Sequence, residues 1–170
     1  MMTHKPMLAH KYDDSRVDWS KPVYIQPKLD GVRCLFTKHG AYSRTGKQFM
    51  NLRHIEKALK PLFDHQPNII LDGELYNHKL KHDFEKIISL VRKQKPTDDD
   101  RLEAKKLVQF HVYDFFDEIQ YDYYQARLNK LKCSDIYGTH IKYVPAKIVS
   151  TYKTARAIHS KFLTHGYEGS

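Results

Sequence analysis

The sequence predicts an α+β fold of mostly antiparallel sheets with flanking helices. Three observations lead there. Short β-rich runs stand in pairs across turn residues, as at 32–37 and 41–45 around His39-Gly40. Other stretches carry apolar residues at helical spacing, such as Phe84, Ile87, Ile88 and Val91. These helical stretches come at uneven intervals, unlike the regular strand–helix alternation of a parallel sheet.

Taken in order, residues 1–21 read as an irregular lead-in that includes Lys5-Pro6-Met7-Leu8-Ala9. Residues 23–25 and 32–37 are expected strands flanking a turn at Lys28, and the His39-Gly40 hairpin would place Lys28 and Arg44 on one sheet. Leu52, Ile55 and Leu59 predict a helix over 51–60, with Asn51 as its cap and Pro61 discouraging continuation. Residues 68–76 read as a strand whose parity puts Ile70, Asp72 and Glu74 on one face and Leu71, Gly73 and Leu75 on the other. A helix over 82–94 follows, then a solvated loop through Asp98-Asp99-Asp100.

Residues 107–116 form a long strand candidate with Val108, Phe110, Val112, Asp114 and Phe116 on one face and Gln109, His111, Tyr113 and Phe115 on the other. Residues 123–132 read as a helix and 141–149 as one strand. A last helix over 151–165 carries Ala155, Ile158, Phe162 and Leu163, with Gly166 as its C-terminal cap.

At 170 residues the chain is long enough for one domain with a real core. Its 41% hydrophobic and 29% charged residues describe an ordinary globular chain. No apolar run approaches the ~20 residues of a spanning helix, and residues 1–10 hold no apolar signal core, so no membrane association and a cytoplasmic location are expected. Cys34 and Cys133 show no metal-ligand spacing and are expected as reduced thiols. Twenty-nine Lys and Arg against twenty Asp and Glu leave a charge of +9, which favours a polyanionic partner without choosing between nucleic acid and nucleotide phosphate. His78 and His82 stand four apart, but no third ligand has suitable spacing.

The chemistry is expected at Gln26-Pro27-Lys28-Leu29-Asp30-Gly31-Val32-Arg33. Lys28 is the candidate nucleophile. Free lysine has a pKa of ~10.4, so attack requires desolvation or nearby positive charge to favour the neutral amine. The plainer alternative is an ordinary surface turn, since Asp-Gly is a common hairpin signal.

Further along stand Ser43-Arg44-Thr45-Gly46-Lys47, Leu71-Asp72-Gly73-Glu74-Leu75-Tyr76, the aromatic run 110–116, and Gly166-Tyr167-Glu168-Gly169. In kind, order and spacing these resemble the motifs of the covalent nucleotidyltransferases, and the ATP-dependent DNA ligases of the compact viral and phage kind in particular. The resemblance implies a ligase-type, ATP-grasp-like adenylation domain in which Lys28 attacks the α-phosphorus of ATP and keeps AMP in a phosphoramidate bond. AMP would then pass to the 5′-phosphate of a nick in duplex DNA.

The resemblance also assigns roles. Gln26 would contact adenine and Tyr113 stack on it. Arg33 would meet ribose or phosphate, and Glu74 the ribose or the waters of the metal. Asp30, Glu74 and Glu168 would share a largely hydrated Mg²⁺. Arg44, with Lys47 beside it, would grip the nick's 5′-phosphate. Capping enzymes, which transfer GMP, and RNA ligases share part of the pattern and remain alternatives. So does a non-catalytic nucleic-acid-binding remnant.

Ligases of this kind continue past the glutamate-glycine motif with a two-lysine motif and an OB-fold domain. Residues 1–170 are therefore expected to be one partial adenylation domain without the OB-fold, impaired alone, and a monomer in the complete form. A viral source would place it in the host cytoplasm.

Overall fold

A computed structural model describes Pro6, residues 11–120 and residues 122–170. Lys5, Met7, Leu8 and Ala9 of the lead-in lie outside that set.

Eight strands and five helices build the described chain as β1 (Val23–Ile25), β2 (Val32–Thr37), β3 (Gly40–Tyr42), β4 (Gln48–Phe49), α1 (Arg53–His65), β5 (Ile69–Tyr76), α2 (Phe84–Val91), α3 (Asp98–Leu107), β6 (Gln109–Asp117), α4 (Tyr124–Lys132), β7 (Ile141–Tyr143), β8 (Lys147–Val149) and α5 (Tyr152–Thr164). Six strands form one sheet in the order β4-β3-β2-β5-β6-β7, and β1 pairs with β8 in a second, two-stranded sheet. The pairings are antiparallel, apart from the parallel β6–β7 pair. The expected fold class is therefore the observed one. No helix among the described residues is long and apolar enough to cross a membrane.

The large sheet has a core face and a polar face. Cys34 and Phe36 of β2, Leu71 and Leu75 of β5, and Phe110 and Val112 of β6 join one buried apolar cluster with Ile55, Leu59 and Phe63 of α1 and Ile87, Leu90 and Val91 of α2. Burying such side chains is worth roughly 1.5–3 kcal/mol each, the main stabilising contribution in a domain of this size. The opposite face carries Arg33, Asp72 and Glu74, with Arg33 opposite Glu74 in the β2–β5 ladder.

Several expectations are corrected. The helix α1 runs through Pro61 to His65 rather than ending at residue 60. Pro61 removes one backbone donor, but burial of Leu59 and Phe63 on either side of it keeps the helix in register. Asn51 is a buried tie instead of a cap: its amide donates to the carbonyls of Leu90 at 3.0 Å and Asp100 at 3.3 Å.

The expected loop through Asp98-Asp99-Asp100 is the first turn of α3. Thr97 and Asp100 form a reciprocal capping box there, and three acids at the helix start and two lysines at its end complement the helix dipole. The single strand expected over 141–149 is two, β7 and β8, which belong to different sheets. Pro145, between them, cannot donate to a ladder. Thr151 and Gly166 bound α5 as expected, with Gly166 at φ 82°, but α5 buries none of its side chains fully.

Strict alternation also fails in β6. Asp72 stands opposite Asp114 and Gly73 opposite Val112, so Tyr113 is an extra residue, a β-bulge. Past it the parity inverts: Phe115, rather than Asp114 or Phe116, is buried with Phe110 and Val112. A bulge bends a strand and re-aims its side chains, and here the re-aimed residue is Tyr113.

Candidate active site

The lysine segment is a linker between the two sheets, not a hairpin turn. β1 leads into it from the small sheet and β2 leaves it in the large one. Lys28 therefore does not share a sheet with Arg44. It is instead pinned by a backbone bridge, with its N–H donating to the Gly169 carbonyl at 2.8 Å and its carbonyl accepting from the Glu168 N–H at 3.2 Å. The bridge sets the two side chains together, and Nζ of Lys28 is in contact with the Glu168 carboxylate. Both side chains are about half exposed, at 47% and 46%, so the pair lies at an open rim. Gly169 holds a positive φ of 152°, which suits glycine.

Gly31 has a different task from the bend expected of it. It is not among the glycines with positive φ. A Cβ there would lie 2.5 Å from the Leu75 carbonyl oxygen and 2.6 Å from Cγ of Glu74. The residue is glycine because the lysine segment passes directly over β5. Gly31→Ala is expected to cost about 2 kcal/mol of stability, the range of an overpacked site that the backbone cannot easily relieve. Urea unfolding reads this, and an unchanged midpoint contradicts it.

Deeper in, Arg33 makes a bidentate pair with Asp72, Nε to Oδ1 at 3.0 Å and a terminal nitrogen to Oδ2 at 2.6 Å. The Asp72 side chain is 2% exposed and that of Arg33 29%. The Arg33 guanidinium also lies 5.5 Å from the centre of the Tyr113 ring, and the Tyr113 hydroxyl donates to Oε2 of Glu74 at 3.5 Å. Burial works to lower the Arg33 pKa, but the Asp72 hydrogen bonds and the neighbouring Tyr113, Asp72 and Glu74 together outweigh it and hold the arginine charged. Burial pushes the Tyr113 phenol far above its usual range. Lys28, Arg33, Glu74, Tyr113 and Glu168 thus belong to one region around the start of β2.

Burial likewise pushes the Glu74 carboxyl up to about 8, opposed by the charges of Arg33 and Lys28. The folded state thus favours the protonated acid. The stability this brings is complete below the ordinary value near 4.5 and is lost as pH rises through about 8. Glu74→Gln is therefore expected to gain in melting temperature over the parent chain as pH goes from about 5 to about 8. A difference that does not change with pH contradicts the assignment.

Other expected residues are placed differently. Asp30 is exposed. Among the described residues no three His, Cys, Asp or Glu stand as a group that would ligate a metal directly. Glu168 faces the lysine, and Glu74 faces the arginine and tyrosine. Gln26 is a tie between the sheets, donating to the carbonyls of Val144 at 3.0 Å and Tyr113 at 3.4 Å.

Arg44 and Lys47 are exposed in a tight turn closed by the Gly46 N–H to the Ser43 carbonyl at 2.9 Å and the Ser43 N–H to the Lys47 carbonyl at 2.8 Å. No ion pair among the described residues includes either cation. Tyr42 pairs with Leu35, so β3 runs back toward the start of β2 and the turn hangs at the end of the sheet where the lysine segment enters. Asp72, the buried partner of Arg33, was visible only as a carboxylate on the right face. Its role as the support beneath the arginine emerges from the β2–β5 register.

The profile of the ATP dependent DNA ligase domain matches residues 6–170. The chain belongs to this ligase domain family. The DNA ligase of African swine fever virus, strain Badajoz 1971 Vero-adapted, is 30% identical over 156 residues, covering 86% of this chain and 35% of that protein. The chain thus spans about a third of the length of the curated relatives it matches.

Solved structures with the same fold include a Lig E DNA ligase, with a TM-score of 0.72 at 20% identity over 99% of this chain and 60% of that one. Chlorella virus DNA ligase-adenylate gives 0.66 at 21% identity over 98% and 59%. The bacteriophage T7 ATP-dependent DNA ligase, solved with ATP, gives 0.57 at 15% identity over 82% and 53%. The ligase fold thus stands on the backbone, and the family on the sequence.

Proposed function

We propose that this ligase domain carries out the adenylation step of DNA ligation, with Lys28 as the residue that accepts AMP. The observation that supports it most is the pinning of Lys28: its backbone is bridged to Gly169, its amine meets Glu168, and the strand that follows it carries Arg33 beside Tyr113, which in turn reaches Glu74. That arrangement fits a nucleotide. A fixed guanidinium serves phosphate or ribose, an aromatic ring serves a base, and a carboxyl with a raised pKa serves as a partner for ribose hydroxyls.

In the resting form Glu168 holds the amine. For attack, Nζ leaves that carboxylate and passes a proton to it or to water, then forms the bond to the α-phosphorus. The bond from that phosphorus to the bridging oxygen breaks, and pyrophosphate leaves. Arg33, held by Asp72, offers a positive charge that needs no rearrangement as charge develops. Arg44 and Lys47 are then the cations for the 5′-phosphate of nicked duplex DNA, which receives AMP in the next step. A largely hydrated Mg²⁺, held through its waters by Asp30, Glu74 and Glu168, would when bound offset the negative charge of the phosphates.

Incubation with ATP labelled at the α-phosphate in Mg²⁺ buffer tests the reading. Acid-labile label on the chain is expected from ATP and not from GTP. Label from GTP alone assigns the site to guanylyl transfer. No label, with salt-sensitive DNA binding retained, assigns the chain to binding without catalysis.

A further inference from the structure

The polar network beside the site extends into α4. The Gln26 amide nitrogen donates to the carbonyls of Val144 and Tyr113, at 3.0 and 3.4 Å. Neither carbonyl has a hydrogen to give, so the nitrogen end of the amide must face them and Oε1 must face away. On that side the Tyr124 hydroxyl donates to Oε1 at 3.1 Å.

Tyr124 is itself braced. Its ring meets Tyr24 edge-on at 4.9 Å and 88°, and the guanidinium of Arg127 lies 5.4 Å from its centre. Arg127 is bidentate to Asp114, with both bonds at 2.8 Å. Burial, and then the charge of Asp114, push the Tyr124 phenol above its usual range, so it stays a donor at any working pH.

We propose that Tyr124 is a positioning residue for base selection: it fixes the Gln26 amide so that its oxygen meets position 6 of a purine lying beside Tyr113. This rests on the reading of Lys28 as the acceptor of a nucleotide. An amide oxygen accepts two hydrogen bonds, and Tyr124 takes one. Among the described residues nothing else donates to that oxygen, so the second is left for the 6-amino group of adenine, whereas the 6-oxo group of guanine or hypoxanthine presents an acceptor to an acceptor. Sites built around such a bond reject the analogue that lacks it far more strongly than apolar pockets do. Turning the amide over to suit a 6-oxo purine would break both bonds to backbone carbonyls and force the Tyr124 hydroxyl to turn from donor to acceptor.

The test compares labelling of the chain from ATP and from inosine triphosphate, which differs from ATP at position 6. The parent chain is expected to prefer ATP. Tyr124→Phe is expected to lower the ATP-to-inosine ratio of kcat/KM by about tenfold, the worth of one lost hydrogen bond, through a higher KM for ATP. Adding Tyr124→Phe to Gln26→Ala is expected to change the ratio no further. A Tyr124→Phe chain that keeps the full ratio overturns the proposal, as does a parent chain that uses both nucleotides equally.

If circular dichroism shows Tyr124→Phe unfolded, the parent chain with N6,N6-dimethyl-ATP decides. That nucleotide has no hydrogen on its 6-nitrogen and is expected to label about tenfold less well, and equal use overturns the proposal. Absence of Lys28-dependent label from every nucleotide defeats the underlying reading instead. Melting shifts with ATP and inosine triphosphate then decide base preference alone, a larger shift with ATP supporting Tyr124 and equal shifts overturning its role.

Discussion

Lys28→Ala is expected to reduce nucleotide labelling of the chain to background, and Lys28→Arg is expected to do no better. The amine must present a lone pair to phosphorus. A guanidinium keeps its proton at any working pH and offers only donors. Arginine would preserve the charge facing Glu168 and so separates chemistry from electrostatic packing. Because the Lys28 side chain is half exposed, neither substitution is expected to shift the urea midpoint beyond the ~0.5 kcal/mol usual for surface positions. Label of parental intensity on either variant moves the nucleophile to another lysine and sinks the assignment. Loss of label together with loss of fold is separated by comparing the far-ultraviolet spectra of variant and parent.

Asp72→Ala is expected to be among the most destabilising single substitutions, at about 3–5 kcal/mol, because it removes the bidentate hydrogen-bond partner of a mostly buried arginine. Asp72 is almost wholly buried, and two of its hydrogen bonds go to Arg33. The reference measurement is urea unfolding at neutral pH, and a loss below about 1 kcal/mol would show the arginine finding water or another partner instead. Replacing both members, Arg33→Leu with Asp72→Leu, is expected to recover much of the lost stability, since apolar substitutes for a buried pair are often tolerated. Labelling is expected to stay absent in the double variant. That split would show the pair serving the site more than the fold.

Much of this was readable from residue order, and the limits have physical causes. The lysine motif, the hairpin at His39-Gly40 and the strand ending in Asp72-Gly73-Glu74 carry local signals, and β1 and β2 fall on the expected residues. The helix α3 was missed because a run of three aspartates looks like a solvated loop, although Thr97 and Asp100 hold the capping spacing. The faces of β6 were misassigned past Tyr113 because a period of two has no place for an extra residue. Which sheet a strand joins has no local signature, so the division of β1 and β8 from the rest was hidden. The same holds for Gln26, whose partners Tyr124 and Val144 are far off in sequence. Gly31 stands out in the sequence as a point of flexibility, whereas its cause in the fold is the Leu75 carbonyl over which it passes.

The bridge between Lys28 and Gly169 also governs when the site comes into being. Loop closure grows costlier with the length of chain enclosed, and distant pairings are slow to form. A nascent chain on the ribosome can complete the β2–β3 hairpin early, yet the Lys28 amine lacks a fixed seat until Glu168 and Gly169 have been synthesised. The seat that the proposed nucleotide chemistry requires is thereby withheld until translation has passed Gly169.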